Sequence, residues 1–265
     1  RNESCRVFLV TGQAAQGKST LVASFLRGRE GSSLWCHLTA DASDHTRLFE
    51  ILINGIHDLF KDQEQIQKIQ IPQTTLGTRE DFFRQIETLT MIFKQMGSPL
   101  NIVLDDLESL DEQGSSFPFV EQLIQENSGT VRFFLLSRTQ PPLSLHQLKI
   151  RQGLMAINNE ELAFTLDETL AFFKATPIGV KQVEKILKIT EGWAGGLILV
   201  SESVRRSHTL EKLPHRLSSE AFSYFSREIY NSLPTATRLF LMQTAVFDVL
   251  DTQLLTNFFT DIDPV

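Results

Sequence analysis

Val7-Phe8-Leu9-Val10-Thr11-Gly12-Gln13-Ala14-Ala15-Gln16-Gly17-Lys18-Ser19-Thr20 is an apolar run that breaks into a glycine-bracketed loop and ends in Lys-Ser-Thr. From Gly12 to Ser19 it satisfies G-x-x-x-x-G-K-[ST] in full. Phosphate imposes those residue types. Gly12 and Gly17 let the backbone bend so that successive N–H groups of Gln13, Ala14, Ala15 and Gln16 point inward, a nest sharpened by the positive end of the helix that begins near Lys18. Lys18 is long enough to reach β- and γ-phosphates, and the Ser19 hydroxyl is placed to ligand the Mg²⁺ that rides with them. Thr20 follows one step into the helix. A chance match of this pattern is uncommon, and a strand before it with a helix after it makes chance a poorer account still.

Composition frames that loop. At 265 residues the chain exceeds one compact domain, so a large nucleotide domain with one or two smaller ones is expected, and 42% hydrophobic residues suffice for a core. A net charge of −7 and a pI near 5.4 argue against a chain whose main business is holding a polyanion, and the one tight basic pair, Arg205-Arg206, is an ordinary solvated helix face. Cys5 and Cys36 are too few and too ill-spaced for a zinc site or a disulfide framework. Arg1-Asn2-Glu3-Ser4 leads straight into strand residues, and no run of eighteen apolar residues follows. Neither secretion nor membrane insertion is expected; a reducing cytoplasm is.

Outward from the loop, Arg6 to Thr11 reads as a buried strand and Ser19 to Leu26 as the helix behind the loop, stopped at Gly28. Ser33 to Leu38 is a second apolar strand. Asp44 is the natural N-cap of a helix in which Leu48, Ile51, Leu52, Gly55, Ile56 and Leu59 recur at helical spacing as a single buried stripe. The Gln-rich segment 61–77 reads as a surface excursion. From Thr78 to Met96 an amphipathic helix returns, and its aromatics are core by period.

The second informative stretch is Asn101-Ile102-Val103-Leu104-Asp105-Asp106, an apolar strand tipped by two carboxylates. Beside a phosphate loop it reads as the acidic element that holds Mg²⁺ opposite Ser19, because a carboxylate is the hard-oxygen ligand that ion prefers. Asp105 is assigned to the metal and Asp106 to orienting the attacking water; the alternative for Asp106 is a helix N-cap. Val131 to Ser137 is another buried strand, and Arg138 at its tip is the candidate γ-phosphate sensor, with a surface salt bridge as the alternative. Leu154 to Ile157 reads as a last strand. Strands alternating with helices, with phosphate chemistry after the first, predict an α/β P-loop NTPase domain, doubly wound with a parallel sheet and its ligand at the strands' C-terminal ends.

Past residue 160 helices alone are expected. Thr165-Leu166-Asp167-Glu168 starts one with a capping box, Val180 to Ile189 is another closed by Gly192, and Trp193 to Val204 a third with small residues at its start. Ser219 to Leu233 and Thr235 to Val246 form a pair joined at Pro234, and Asp251 to Phe259 begins one more. The six histidines form no metal or catalytic cluster by spacing.

Together these residues resemble a family, the STAND class of signal-transduction ATPases, and within it the branch of the MalT-like, LuxR-type ATP-dependent regulators. Besides Gly12 to Thr20 and Leu104-Asp105-Asp106, the likeness rests on Trp35 to Phe49, with Leu38, Asp44 and Arg47 in register, and on Leu135-Leu136-Ser137-Arg138, similar to the branch's sensor strand. Leu162-Ala163-Phe164-Thr165 resembles the entry to its helical domain, Thr190-Glu191-Gly192-Trp193-Ala194-Gly195-Gly196-Leu197 the segment near the nucleotide base, and Glu228 to Phe258 the opening of its winged-helix domain. The resemblance implies a P-loop domain over 1–160, a helical domain over 161–215 and a winged-helix domain, incomplete at its C-terminus, over 216–265. It implies a switch: ADP holds these parts closed, while ATP with Mg²⁺ and an inducer bound outside this chain opens them, so that protomers self-associate within a transcription regulator. No direct nucleic-acid contact and no membrane contact are expected of this chain.

Two departures modify that expectation. Ala194 stands where relatives elsewhere in the class carry a base-stacking proline, and Asp105-Asp106 replaces the Asp-Glu of many P-loop ATPases, so a shorter acid holds the water and slow hydrolysis follows. The competing reading is an AAA-like P-loop ATPase that turns over continuously.

Overall fold

Both faces of the central strands are apolar, so helices must cover both sides of the sheet they form. In the computed structural model, which describes residues 5–62, 78–96, 98–127, 131–207, 230 and 233–245, these runs are β1 (Val7–Thr11), β2 (Ser32–His37), β3 (Leu100–Asp105), β4 (Val131–Ser137) and β5 (Leu154–Ile157). They pair in parallel in the order β2-β3-β4-β1-β5. The expected doubly wound α/β architecture is therefore the observed one. β3 is buried at every position, whereas β2, on the edge, alternates between covered and exposed residues. The register sets His37 beside Asp105 and Thr11 beside Ser137, which brings the tips of β2, β3, β4 and β1 into one row.

Alternate side chains divide between two cores. Val7, Leu9, Ile102, Leu104, Phe133 and Leu135 face a large cluster built with the helices His45–Leu59, Arg79–Gln95 and Ser116–Glu126. Val10, Val103, Phe134 and Leu136 face a smaller one closed by Val22 of the helix Lys18–Leu26. The first of these helices corrects the single-stripe expectation. Phe49 and Ile53 are buried beside Leu48, Leu52 and Ile56, while Leu59 is 39% exposed. The reason is a wide contact, with the β2 edge on one flank and helix 79–95 on the other, so the buried arc exceeds one i, i+3, i+4 row. Gly55 belongs to that contact because a Cβ there would fall 2.5 Å from Leu34 Cδ1.

Helix starts follow their caps. Asp44 accepts from Thr46 N at 2.8 Å, and reciprocal capping boxes join Thr78 to Asp81 and Thr165 to Glu168. After β5 come the short helix Asn159–Leu162 and the helices Leu166–Phe172, Val180–Thr190 and Ala194–Ser207. Glu191 and Gly192, at φ 51° and 77°, end the second-last of these. The helix Thr235–Thr244 carries Pro234 at its N-cap, one position ahead of the expected first turn. Most of the Gln-rich segment, nearly all of the helix expected over Ser219 to Leu233 and the one over Asp251 to Phe259 lie outside the described residues. The chain divides into two compact units, Arg1–Leu197 and Ile198–Val265, and every candidate nucleotide residue lies in the first. Among the described residues no helix is long and apolar enough to cross a membrane.

Candidate nucleotide-binding site

The loop after β1 has the geometry that phosphate binding demands. Gly17 takes φ 93° and Ala15 φ 56°, left-handed conformations of the kind from which anion-binding nests are built. The helix that follows starts at Lys18 with no side-chain cap and no acidic residue in its first turn, so its orphan N–H groups and its positive end are left for an anion. Lys18 and Gln16 are buried, and Thr20 is exposed on the helix. Lys18 Nζ turns back onto its own loop, donating to Gly12 O at 2.6 Å and Gln13 O at 3.2 Å. Burial pulls the Lys18 pKa down, opposed first by Glu108 and then by Asp105 and Asp106, while Arg138 adds to the lowering. An ammonium whose charge burial disfavours gains from an arriving phosphate.

Ser19 Oγ donates to Asp105 Oδ2 at 2.8 Å, and Trp35 Nε1 donates to the same oxygen at 3.3 Å. Asp105 Oδ1 accepts the Asp106 backbone N–H at 3.1 Å. The two residues assigned to Mg²⁺ are thus together, a hydroxyl and a fixed carboxylate of the oxygen kind that ion prefers, and they fit it. Among the described residues no group of three or more His, Cys, Asp or Glu is arranged to cage a metal by itself. An ion here would share its shell with the phosphates.

Asp106 is displaced from a simple strand tip. At φ 61° and ψ 45° it opens a single turn of 3₁₀ helix, Leu107–Ser109, yet its side chain makes no capping bond. It pairs instead with His37 Nε2 at 3.0 Å. Burial raises the Asp106 pKa, Asp105 and Glu108 raise it further, and His37 and Arg138 counter them. The N-cap alternative is right for its backbone and wrong for its carboxylate. His37, set aside among the scattered histidines, belongs to this site because parallel pairing places the β2 tip beside the β3 tip.

Arg138 is held where the sequence put it, at the tip of β4, in a contact that the sequence did not disclose. Its backbone N–H donates to Glu108 Oε2 at 3.0 Å, and its Nε lies 2.8 Å from Glu108 Oε1. The salt-bridge alternative is therefore present, although Glu108 is largely covered rather than on the surface. The Asp-Asp pair followed two residues later by an acid is the one signal that could have drawn attention to Glu108.

A further layer holds the loop from above. Trp193 Nε1 donates to Ala14 O, and Gly195 N to Ala15 O, both at 2.9 Å. Gln13 N donates to Asn159 Oδ1 at 3.1 Å. Leu162 approaches Gly12 closely on this side, since a Cβ there would sit 2.9 Å from Leu162 Cδ1. Residues from 159 to 195, far from the loop in sequence, thus close over it.

Comparison with known proteins agrees with the fold. A family model described as AAA ATPase domain matches residues 1–136. Among solved structures, the chain is similar to the Aeropyrum pernix Orc1 protein in complex with DNA, with a TM-score of 0.50 at 14% identity over 91% of this chain and 66% of that one. It also matches Cdc6p from Pyrobaculum aerophilum, at 0.47 and 11% over 76% of this chain and 56% of that one, and AMPPCP-bound DnaA from Aquifex aeolicus, at 0.41 and 13% over 88% and 67%. At 14% identity the first is a likeness of fold alone. The chain spans just under two thirds of that protein and little over half of the second.

Proposed function

Because the chain belongs to the AAA ATPase domain family, we propose that it is a nucleotide-controlled switch: a module of the MalT-like STAND kind that binds ADP or ATP with Mg²⁺, hydrolyses ATP slowly and governs self-association of a larger transcription regulator in the cytoplasm. The observation that carries this reading is the pair of bonds from Trp193 and Gly195 to the carbonyls of Ala14 and Ala15. Two carbonyls of the phosphate loop are tied to a helical segment, so a change at the phosphates has a path into the helices. The domain limits 1–160, 161–215 and 216–265 belong to this proposal, with the inducer bound elsewhere.

In this reading the loop N–H groups and Lys18 hold the phosphates, Ser19 and Asp105 hold Mg²⁺, which supplies charge neutralisation when bound, and Arg138 reads the γ-phosphate. Asp106 orients water. Its carboxylate is already engaged by His37, which leaves it less free to hold the water than an unpaired carboxylate, in keeping with slow turnover. The DNA in the Aeropyrum pernix complex belongs to that protein; with a net charge of −7, this chain is proposed to make no direct nucleic-acid contact.

The family match also favours the second reading, a continuously turning-over AAA ATPase. Nucleotide content separates the two. The chain purified without added nucleotide should carry stoichiometric ADP if it is a switch, whereas an empty chain that hydrolyses many ATP per minute would establish continuous turnover. Asp106→Asn should bind ATP and stop hydrolysing it; hydrolysis at the unchanged rate would reduce Asp106 to a backbone cap.

A further inference from the structure

We propose that Glu108 is the specificity-determining residue for ATP against ADP, an internal counter-ion that occupies Arg138 in the place the γ-phosphate would take. The inference rests on the nucleotide-switch reading and deepens it.

Three carboxylates, from Asp105, Asp106 and Glu108, act with two cations, from Lys18 and Arg138, around the phosphate loop. Asp105 is engaged by Ser19 and Trp35, and Asp106 by His37. Glu108 alone of the three is engaged by the sensor arginine, and it is also the charged side chain that acts most strongly on Lys18. It therefore addresses the two side chains expected to receive a γ-phosphate.

The contact is built to be displaced. Glu108 Oε2 is fixed by the Arg138 backbone N–H at 3.0 Å, an anchor that survives any movement of the guanidinium. Glu108 Oε1 is shielded from water and has no aligned hydrogen bond; its compensation is the charge of Arg138 Nε at 2.8 Å. When the guanidinium leaves for a phosphate, that oxygen becomes an uncompensated buried charge, and an uncompensated buried charge is costly. A γ-phosphate must then outbid Glu108 for Arg138, whereas ADP, lacking that group, leaves the pair intact. The result is a chain that favours ADP until ATP is abundant, by differential affinity alone.

Glu108→Gln keeps an acceptor for the Arg138 backbone N–H and removes the competing charge. In the full chain, titration with AMPPCP and with ADP, each with Mg²⁺, should show the AMPPCP:ADP affinity ratio rising about tenfold, the size of one charge-assisted contact. The melting temperature serves as the check that the variant is folded. Because removing a negative charge favours a more anionic ligand in general, the ratio is also measured in Arg138→Ala and in the double variant. The proposal requires the tenfold gain to vanish without Arg138. A ratio that is unchanged, or that falls because Glu108 aims the arginine at the phosphate, overturns the inference. So does a gain that persists in the double variant. Failure of the unmodified chain to bind either nucleotide would overturn the switch reading as well.

Discussion

Trp193→Phe tests the link between the helical segment and the phosphate loop. The indole N–H donates to Ala14 O at 2.9 Å, and Ala14 is 9% exposed, so the carbonyl left behind has little access to water. Phenylalanine retains an apolar ring and removes the donor. Losing an ordinary hydrogen bond costs about 0.5–1.5 kcal/mol, and stranding a buried partner raises this to about 1–3 kcal/mol, so about 2 kcal/mol is expected here. At 1.4 kcal/mol per factor of ten, that is about a thirtyfold easier separation of the segment from the loop. The neighbouring bond from Gly195 N to Ala15 O reports on that separation directly. Hydrogen exchange at the Gly195 amide should speed up by about the same factor. The melting temperature should fall by about 4–8 °C, at roughly 2–4 °C per kcal/mol for chains near this size. ADP should bind more weakly by no more than the same factor, since a loop that must first be ordered binds less well. Unaltered exchange at Gly195 together with unaltered ADP affinity would show that the helical segment does not brace the loop, and the switch reading would lose its carrying observation.

Lys18→Ala should weaken nucleotide binding at least about a hundredfold, because hydrogen bonds to charged groups are worth about 1.5–3 kcal/mol each, and calorimetry that still finds tight ADP binding would remove Lys18 from the phosphates. Gly192→Ala should lower stability by about 2 kcal/mol or more, as a Cβ there meets Phe164 N and O at 2.7 Å on a backbone already at φ 77°; a melting temperature within a degree of the parent would refute the contact. Thr78→Ala should destabilise at neutral pH and less so in acid. The Thr78 side chain, then its backbone N–H, holds the Asp81 pKa below its ordinary value, so this stabilisation is present above the unfolded carboxylate range near pH 4 and is lost as pH falls through the lower folded pKa. A decrement that stays constant from pH 7 to pH 3 would separate the cap from Asp81's charge. Both tryptophans of the chain donate to site residues, Trp35 to Asp105 and Trp193 to Ala14, so ADP with Mg²⁺ should change intrinsic fluorescence, and the change should persist in Trp193→Phe through Trp35.

The parallel α/β fold and the phosphate loop were legible in the sequence because both depend on neighbours along the chain. Continuous apolar runs dictate buried strands, and Gly12, Gly17, Lys18 and Ser19 carry their chemistry at fixed spacing. Caps at Asp44 and Thr165 were readable for the same reason, since each bonds within three residues of itself. The sequence could also place Asp105 opposite Ser19, because a strand of that kind beside a phosphate loop has few other places to go.

Tertiary structure decided who meets whom across the strand tips. His37 reaches Asp106 only because β2 pairs in parallel with β3, and Glu108 reaches Arg138 only because β3 and β4 are neighbours while the turn after Asp106 folds back toward them. Asn159 and Trp193 reach the loop across about 150 and 180 residues of chain, a separation over which no local pattern carries information. The loop and its lysine were therefore written in the sequence, whereas the partner that holds Arg138, and the indole that holds the loop, are consequences of strand order and packing.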